Sequence, residues 1–295
     1  MKKLKYKERK KITVFAFLVV PVTLLLAFSY YPGLKLIYLS FTSSDGLSAK
    51  ADFIGLDNYI RIFTTREFYT PFLHNGVLFI VGLVQIVLAF YFAVILNTRL
   101  KGRNIFRSIL FMPYVVNSVA IAFMFNYFFS TNSGPFNTIL KSVGLNSLVS
   151  DWFGNPGLVN WVMGFMALWK YMGFMMIIFL GALQSISSEM YEASHIDGAK
   201  PYQQLLYITL PSIKSIMTLV FFLNLNGVVG AFEFPFIIYP KGSPFGMADT
   251  FMVKSIYTAF RYSDFGLASA MGVVLVVIVS VLSTLQNKIL PKDSN

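Results

Sequence analysis

The sequence contains no cysteine and only two histidines in 295 residues, and Asp, Glu, Lys and Arg together make up just 13% of it. Without thiols there is no disulfide and no thiolate metal site. His74 and His195 stand far apart in the chain, so no imidazole cluster and no metal site are expected. A soluble domain is usually about a quarter charged. Half that fraction leaves too little polar surface to cover a globule in water. Catalytic patterns are missing too: no GxxxxGK[ST], HExxH or GxSxG stretch occurs. The chain therefore cannot cradle nucleotide phosphates in a P-loop of its own. The few carboxylates fall mostly in loops, and no two share a helical spacing suited to a common proton. No enzyme is expected.

What fills the sequence instead is apolar. Hydrophobic residues reach 56%, Phe alone numbers 31, and the mean hydropathy is positive. A bilayer is the natural solvent for such a chain. In that setting the formal charge of +11 reads as cationic loops against an anionic leaflet, not as a nucleic-acid surface.

A hydrocarbon core about 30 Å thick needs about 20 mostly apolar helical residues. Six stretches qualify: Ile12–Leu39, Leu73–Leu96, Ser108–Phe129, Val159–Leu183, Ser215–Tyr239 and Leu267–Leu290. The expected fold is an all-α membrane protein of six transmembrane helices. Residues 1–11 form a basic N-terminus, 184–214 a loop between the fourth and fifth spans, and 291–295 a short tail. The basic start followed by an apolar run resembles a signal peptide, but the run is too long and lacks a small-residue cleavage site. It reads as a retained first span. Pro21 and Tyr31-Pro32-Gly33 lie within it, so a kink or exit from the membrane is expected near Pro32.

An even number of spans puts both termini on one side, together with the loops near Arg103 and Asp197. That side carries fifteen Lys and Arg, and the other carries eight. The excess sits in short loops close to the spans, which places both termini in the cytoplasm. The outer segments Ser40–Phe72, Ser130–Leu158 and Pro240–Gly266 are longer and rich in Gly, Ser, Asn, Asp and Pro. They serve equally well as plain connections or as a docking face.

The loop between the fourth and fifth spans is the most structured in pattern. Ser187 or Ser188 can cap a short helix containing Glu192. Asp197-Gly198 signals a turn, Pro201 suits the first turn of a following helix, and Pro211 marks its end. Glu192-Ala193-Ser194 is followed after three residues by Gly198, and after nine more by Ile208-x-Leu210-Pro211. This spacing resembles the EAA loop of ABC importer permeases, with Ser194 in place of the second Ala as the one departure. Phe53-x-Gly55-Leu56-x-Asn58-Tyr59 in the first outer segment resembles the F-x-G-L-x-N-Y of the sugar-permease branch. Leu183-Gln184-x-Ile186, Pro113 and Ile256-Tyr257-x-x-Phe260 fit as well. Where relatives often read F-D and later T-x-G-G-P, this chain has Phe234-Pro235 and Lys241-Gly242-Ser243-Pro244.

The resemblance implies a permease subunit of a binding-protein-dependent importer of oligosaccharides, working by alternating access in a bacterial or archaeal cell (inner) membrane. Glu192, Ala193, Ser194, Asp197, Gly198, Ala199, Leu210 and Pro211 would then form a cytoplasmic coupling helix and its flanks, seated on an ATPase. The implied partners are a second homologous permease forming a heterodimer, two ATPase subunits, an extracellular or periplasmic solute-binding protein, the sugar and membrane lipid. No cofactor is implied here, since ATP and Mg belong to the ATPases. Glycerol-3-phosphate or a related solute is the alternative cargo. A stand-alone secondary transporter or channel is the alternative of another class, though the charged relay or repeated half-helices it calls for are not visible.

A charge at mid-bilayer costs a few kcal/mol or more, so Lys170 and Glu233 stand out. They can pair with each other as a structural element, snorkel toward water, or serve a substrate path. Gln85, Asn117, Asn126, Asn224 and Asn226 are further path candidates, although such amides more often join helices. For the topology, cysteines introduced at Ser147 and Ser243 should react with an impermeant thiol reagent on intact cells, and one at Ser187 should not. External labelling at Ser187 would overturn the orientation.

Overall fold

The computed structural model describes residues 6–48, 51–98 and 100–289, so the first five residues, Ala49, Lys50, Arg99, Leu290 at the expected end of the last span and the tail 291–295 lie outside the described residues. Among the described residues the chain is helical, with one isolated antiparallel bridge, Thr42 with Phe53, and no strand. Helices α1 (Tyr6–Leu25), α2 (Tyr31–Leu39), α3 (Asp57–Thr64), α4 (Arg66–Asn97), α5 (Arg103–Val115), α6 (Ser118–Phe128), α7 (Pro135–Ser142) and α8 (Val159–Gln184) make the first half. Then come α9 (Ser188–Ile196), α10 (Pro201–Gln204), α11 (Leu210–Ser212), α12 (Lys214–Val229), α13 (Glu233–Ile238), α14 (Phe251–Phe260) and α15 (Phe265–Ile289). Five helical stretches are long and apolar enough to cross a membrane: Lys10–Leu39, Arg66–Asn97, Val159–Gln184, Lys214–Ile238 and Phe265–Gln286. A sixth is completed if α5 and α6 count as one broken span.

The broken span falls on the third expected stretch, Ser108–Phe129, where a single transmembrane helix is expected. α5 and α6 meet at 98°. Pro113 removes a backbone donor near the end of α5, and Val116 and Asn117 are extended, with ψ of 138° and 134°. Asn117 then caps α6, its side chain accepting from Val119 N at 2.8 Å. Broken backbone of this kind survives at membrane depth only where protein or a wet cavity satisfies it. The fifth stretch breaks as well: α12 ends at Val229, and helical geometry resumes only at Glu233.

Two prolines behave otherwise than expected. The chain neither kinks sharply nor leaves the helix at Pro32, and Pro211 does not end its helix. Each proline follows a five-residue π-helical turn, Leu26–Tyr30 and Leu205–Thr209, in which the residue just before the proline reaches back five positions, Tyr31 N to Leu26 O and Leu210 N to Leu205 O. The widened turn makes room for the ring and takes up the missing donor. Past Pro211 the helix yields at Ile213, where φ is −102° and ψ is 11°.

The described chain divides into two compact units, one of residues up to Thr64 with Ser255–Val274, the other of Thr65–Lys254 with the residues from Leu275 on. In the first unit the F-x-G-L-x-N-Y segment is a clasp. Gly55 turns with φ of +61°, and Asn58 Nδ2 donates to Ser40 O and Thr42 O at 3.0 Å each. The Tyr59 hydroxyl meets Ser40 Oγ at 2.7 Å. In the second unit α8 packs most extensively on α4, then on α5, while α12 also packs on α4. Lipid tails are as apolar as side chains, so close backbone approach replaces hydrophobic drive between such helices. Gly173 of α8 supplies that approach, for a Cβ there would stand 1.9 Å from Leu110 O of α5.

Gly173→Ala should therefore push α5 and α8 apart and lower the thermal unfolding midpoint of the detergent-purified protein, at a cost of about 1–3 kcal/mol. Gly181→Ala on the same helix meets nothing within 4 Å and should cause no loss. Equal midpoints for the two variants would contradict this crossing.

Candidate functional site

Two apolar clusters occupy different levels of the second unit. Leu78 of α4 and Val159–Met166 of α8 belong to one, and Ala89 of α4 with Met175–Leu183 of α8 to the other. Between them lies the polar layer. Lys170, 6% exposed, sits in the middle of α8. Its ammonium donates to Ser118 Oγ and lies 3.4 Å from Glu233 Oε2. Ser118 Oγ donates to Glu233 Oε1 at 2.5 Å, and the Tyr171 hydroxyl donates to Oε2 at 2.7 Å. Both helix breaks feed this cluster: Ser118 is the first residue of α6, and Glu233 the first of α13. The cation also faces two rings, 5.1 Å from the centroid of Tyr171 and 5.9 Å from that of Phe234. An ammonium in low dielectric needs such a set of partners.

A cavity of about 450 Å³ opens beside the cluster among α4, α5, α8, α12 and α13. Of the sequence candidates, Gln85, Asn224 and Glu233 line it. Lys170, Asn117, Asn126 and Asn226 are not among its lining residues. Asn117 is occupied as the α6 cap, and Asn226 donates along its own helix to Phe222 O at 2.8 Å. Asn126 is exposed. Asn224 Nδ2 reaches Gly82 O at 3.4 Å, where glycine lets α4 and α12 approach, and its Oδ1 is buried with no hydrogen-bond partner. Gln85 Nε2 points to Met175 Sδ at 3.1 Å. Aromatic surface completes the wall, with Tyr114 stacked on Phe174 at 4.6 Å between centroids.

Sequence reasoning missed Ser118, Tyr171 and Tyr114. Their signals were faint: Ser118 follows Asn117 at a break no periodicity announces, and Tyr171 is merely the neighbour of Lys170. It also counted Lys254 only as an outer cation. Lys254 is buried, paired with Glu67, and its ammonium lies 5.3 Å from the centre of the Phe68 ring.

The loop after α8 forms a second candidate site. Ser187 caps α9, accepting from Glu189 N at 3.2 Å. Gly198 has φ of +77°, and Ala199 N returns to Ser194 O at 2.9 Å. That closes α9 with a left-handed residue. Ser194 is more than a small substitute for Ala: its Oγ accepts from Gln204 Nε2 at 2.9 Å and ties α9 to α10. Glu192, Ala193, Asp197, Gly198 and Pro211 are exposed, Ala199 and Leu210 are half-buried, and Ile196 stands 87% exposed. A Cβ placed on Gly198 meets nothing within 4 Å.

A bundle of apolar helices, broken twice beside a half-buried ion pair and a cavity, defines a polytopic membrane protein with a polar interior. Its family follows from comparison. Residues 85–293 match the "Binding-protein-dependent transport system inner membrane component" family, and the chain belongs to that family of ABC importer permeases. It is similar to the "Probable ABC transporter permease protein YurN" of Bacillus subtilis, 30% identical over 95% of this chain and 97% of that one. It is also similar to the "Arabinooligosaccharides transport system permease protein AraP" of Halalkalibacterium halodurans, 32% identical over 94% and 91%. Among solved structures, the fold resembles a chain of "a bacterial ABC transporter involved in the import of the acidic polysaccharide alginate". The TM-score there is 0.84 at 22% identity, over 97% of this chain and 98% of that chain.

The ion pair can be tested directly. Glu233→Gln strands the buried Lys170 cation, which should cost about 3–5 kcal/mol. Lys170→Met should cost less, because Ser118 and Tyr171 still donate to a carboxylate whose side chain is 37% exposed. In a double-mutant cycle of complex assembly and thermal stability, the paired variant should be less impaired than the sum of the singles. Strict additivity would refute the coupling.

Proposed function

We propose that this chain is half of a translocation path for an oligosaccharide, driven from the cytoplasm by partner ATPases. A second, homologous permease completes the path, and an extracellular or periplasmic binding protein delivers the sugar to the outer face. Each permease then alternates between outward and inward access as the ATPase pair closes and opens. Several supports converge on this reading. The family is one of binding-protein-dependent permeases, and a relative carries arabinooligosaccharides in its name. The likeness to an alginate importer speaks for the fold. The cavity combines aromatic faces with a few convergent polar groups, the usual make-up of a small-solute site. The cation bias of the loops supports cytoplasmic termini.

The observation that carries the coupling half is the α9–Gly198 turn. It is a built and capped element, yet its outward face, with Ile196 and Gly198, is left open by this chain. An ATPase groove seated there would receive the helix and pull on α8 through the two residues between Gln184 and the Ser187 cap.

Two substitutions at Gly198 separate docking from mere backbone strain. Asn tolerates a left-handed conformation, whereas Val is strained there by order 1 kcal/mol or more. Within this chain neither side chain meets a wall. We expect Gly198→Asn and Gly198→Val both to insert normally, and both to release the ATPase or uncouple its hydrolysis from sugar uptake. Glu192→Ala should do so more mildly. The measurements are ATPase retention in the purified complex and binding-protein-stimulated hydrolysis. Normal values for both Gly198 variants, with normal uptake, would remove α9 from the coupling role.

A further inference from the structure

We infer that the cavity is built for an uncharged, hydroxyl-rich solute and turns away anionic ones, with Glu233 as the residue that sets this selectivity. The inference rests on the cavity being the solute path proposed above, and it narrows the class of sugar that path accepts.

Charge comes first. Among the residues lining the cavity, Glu233 is the one Asp, Glu, Lys or Arg. Its counter-ion, Lys170, is not part of the lining and is almost fully buried behind it. The pair is neutral in sum but not in orientation, since it presents its negative end to the cavity and keeps its positive end in the wall. The field falling on a solute is that of a nearby carboxylate, only partly offset by an ammonium further back. In a site walled by apolar helices such a field is weakly screened. An anion entering would also shed its hydration without recovering it. The same field does not repel a cation, so it is against anions that the cavity discriminates.

Hydrogen bonding points the same way. The donors on the wall are largely committed: the Tyr171 hydroxyl to Glu233, Asn224 Nδ2 to Gly82 O, and Gln85 Nε2 to Met175 Sδ. The Glu233 carboxylate already accepts from Ser118, Tyr171 and, through both oxygens, Lys170, and Asn224 Oδ1 is buried away from the cavity, so the wall offers a solute neutral groups such as the Tyr114 hydroxyl and the Gln85 carbonyl oxygen. The orientation of Asn224 is fixed by the Gly82 carbonyl, which can only accept. Neutral hydroxyl and amide groups beside aromatic faces suit a solute that both donates and accepts, as sugar hydroxyls do. A carboxylate, sulfate or phosphate group is an acceptor only. This sets the chain apart from cargo such as a uronic-acid polymer or glycerol-3-phosphate.

The absence of cysteine allows a test that needs no knowledge of the natural sugar. Gly227 lines the cavity, and a Cβ there meets nothing within 4 Å, so Gly227→Cys introduces the single thiol of the chain into open space. Three methanethiosulfonate reagents would be applied to membranes holding the assembled transporter: the anionic sulfonatoethyl, the cationic trimethylammonioethyl and the neutral hydroxyethyl form. Each rate is divided by that reagent's rate with a free thiol in solution. With Glu233 in place, the anionic reagent should react at least roughly fivefold more slowly than the neutral one, as expected for one charge acting across several ångströms at intermediate dielectric. Adding Glu233→Gln should abolish or reverse that order, because the Lys170 cation is then unopposed. Should that variant fail to assemble, Lys170→Met with Glu233→Gln carries the test, and all three normalised rates should then agree. If the three rates already agree in Gly227→Cys alone, or if the anionic reagent is the faster, the selectivity inference is wrong while the path can stand. If even the neutral reagent fails to react, the cavity is not a solute path, and the inference falls with it.

Discussion

An ammonium group in the middle of a transmembrane helix must be solvated by protein, because hydrocarbon offers it nothing. Lys170 imposes that demand on the second compact unit, and much of the local architecture answers it. Glu233 supplies the counter-charge, Ser118 bridges cation and carboxylate, and Tyr171 holds the second carboxylate oxygen. Two of these groups can arrive only because a helix is interrupted. Ser118 opens α6 after a 98° bend, and Glu233 opens α13 after the chain leaves α12. Backbone freed at such breaks must itself be satisfied, which is why Asn117 caps α6 from within the span. The ion pair and the breaks are thus mutually dependent. Without the breaks Lys170 would lack partners, and without the pair the broken segments would have less to hold them at that depth.

Much of this arrangement was readable from residue types, and the unreadable part has a common physical cause. Length and apolarity located the membrane helices, since one solvent, the bilayer, dictates both. The α9 turn was legible because Ser187, Gly198 and Pro201 act locally: a cap, a left-handed residue and a helix start each follow from a single side chain. Lys170 and Glu233 announced themselves by cost. The α5–α6 bend did not, because Pro113 is compatible with either a mild kink or a full break, and tertiary contacts decide between them. Pro32 and Pro211 erred in the opposite direction. A proline deletes one hydrogen bond, but a π turn just before it absorbs the loss, and no residue pattern flags that remedy. Among the amides, composition could not separate Asn224, which reaches the cavity wall, from Asn226 two positions on, which bonds to its own helix. Two helical steps of about 100° each turn one away from the other, and facing is set by neighbouring helices.

The relation of the two sites follows from which helices are broken and which are not. α5–α6 and α12–α13 are interrupted beside the ion pair, whereas α8 runs unbroken for 26 residues from Val159 to Gln184. Lys170 is anchored near its middle, and the α9 turn begins three residues beyond its end. An intact helix transmits displacement along its axis and rotation about it, because every turn is bonded to the next; a broken one concentrates movement at the break. If ATP-driven movement enters at α9, α8 is the stiff element that carries it, over roughly 20 Å of helix, to the level of Lys170. The interrupted segments next to it are the ones free to respond. The ion pair joins the stiff element to both of them. A shift of α8 therefore either drags Ser118 and Glu233 along or breaks their contacts with Lys170. Burial makes the second course costly, so the contacts favour concerted movement of the cavity wall. Under the proposed function, the charge that a bilayer alone would exclude is the point at which the driven helix grips the walls of the path.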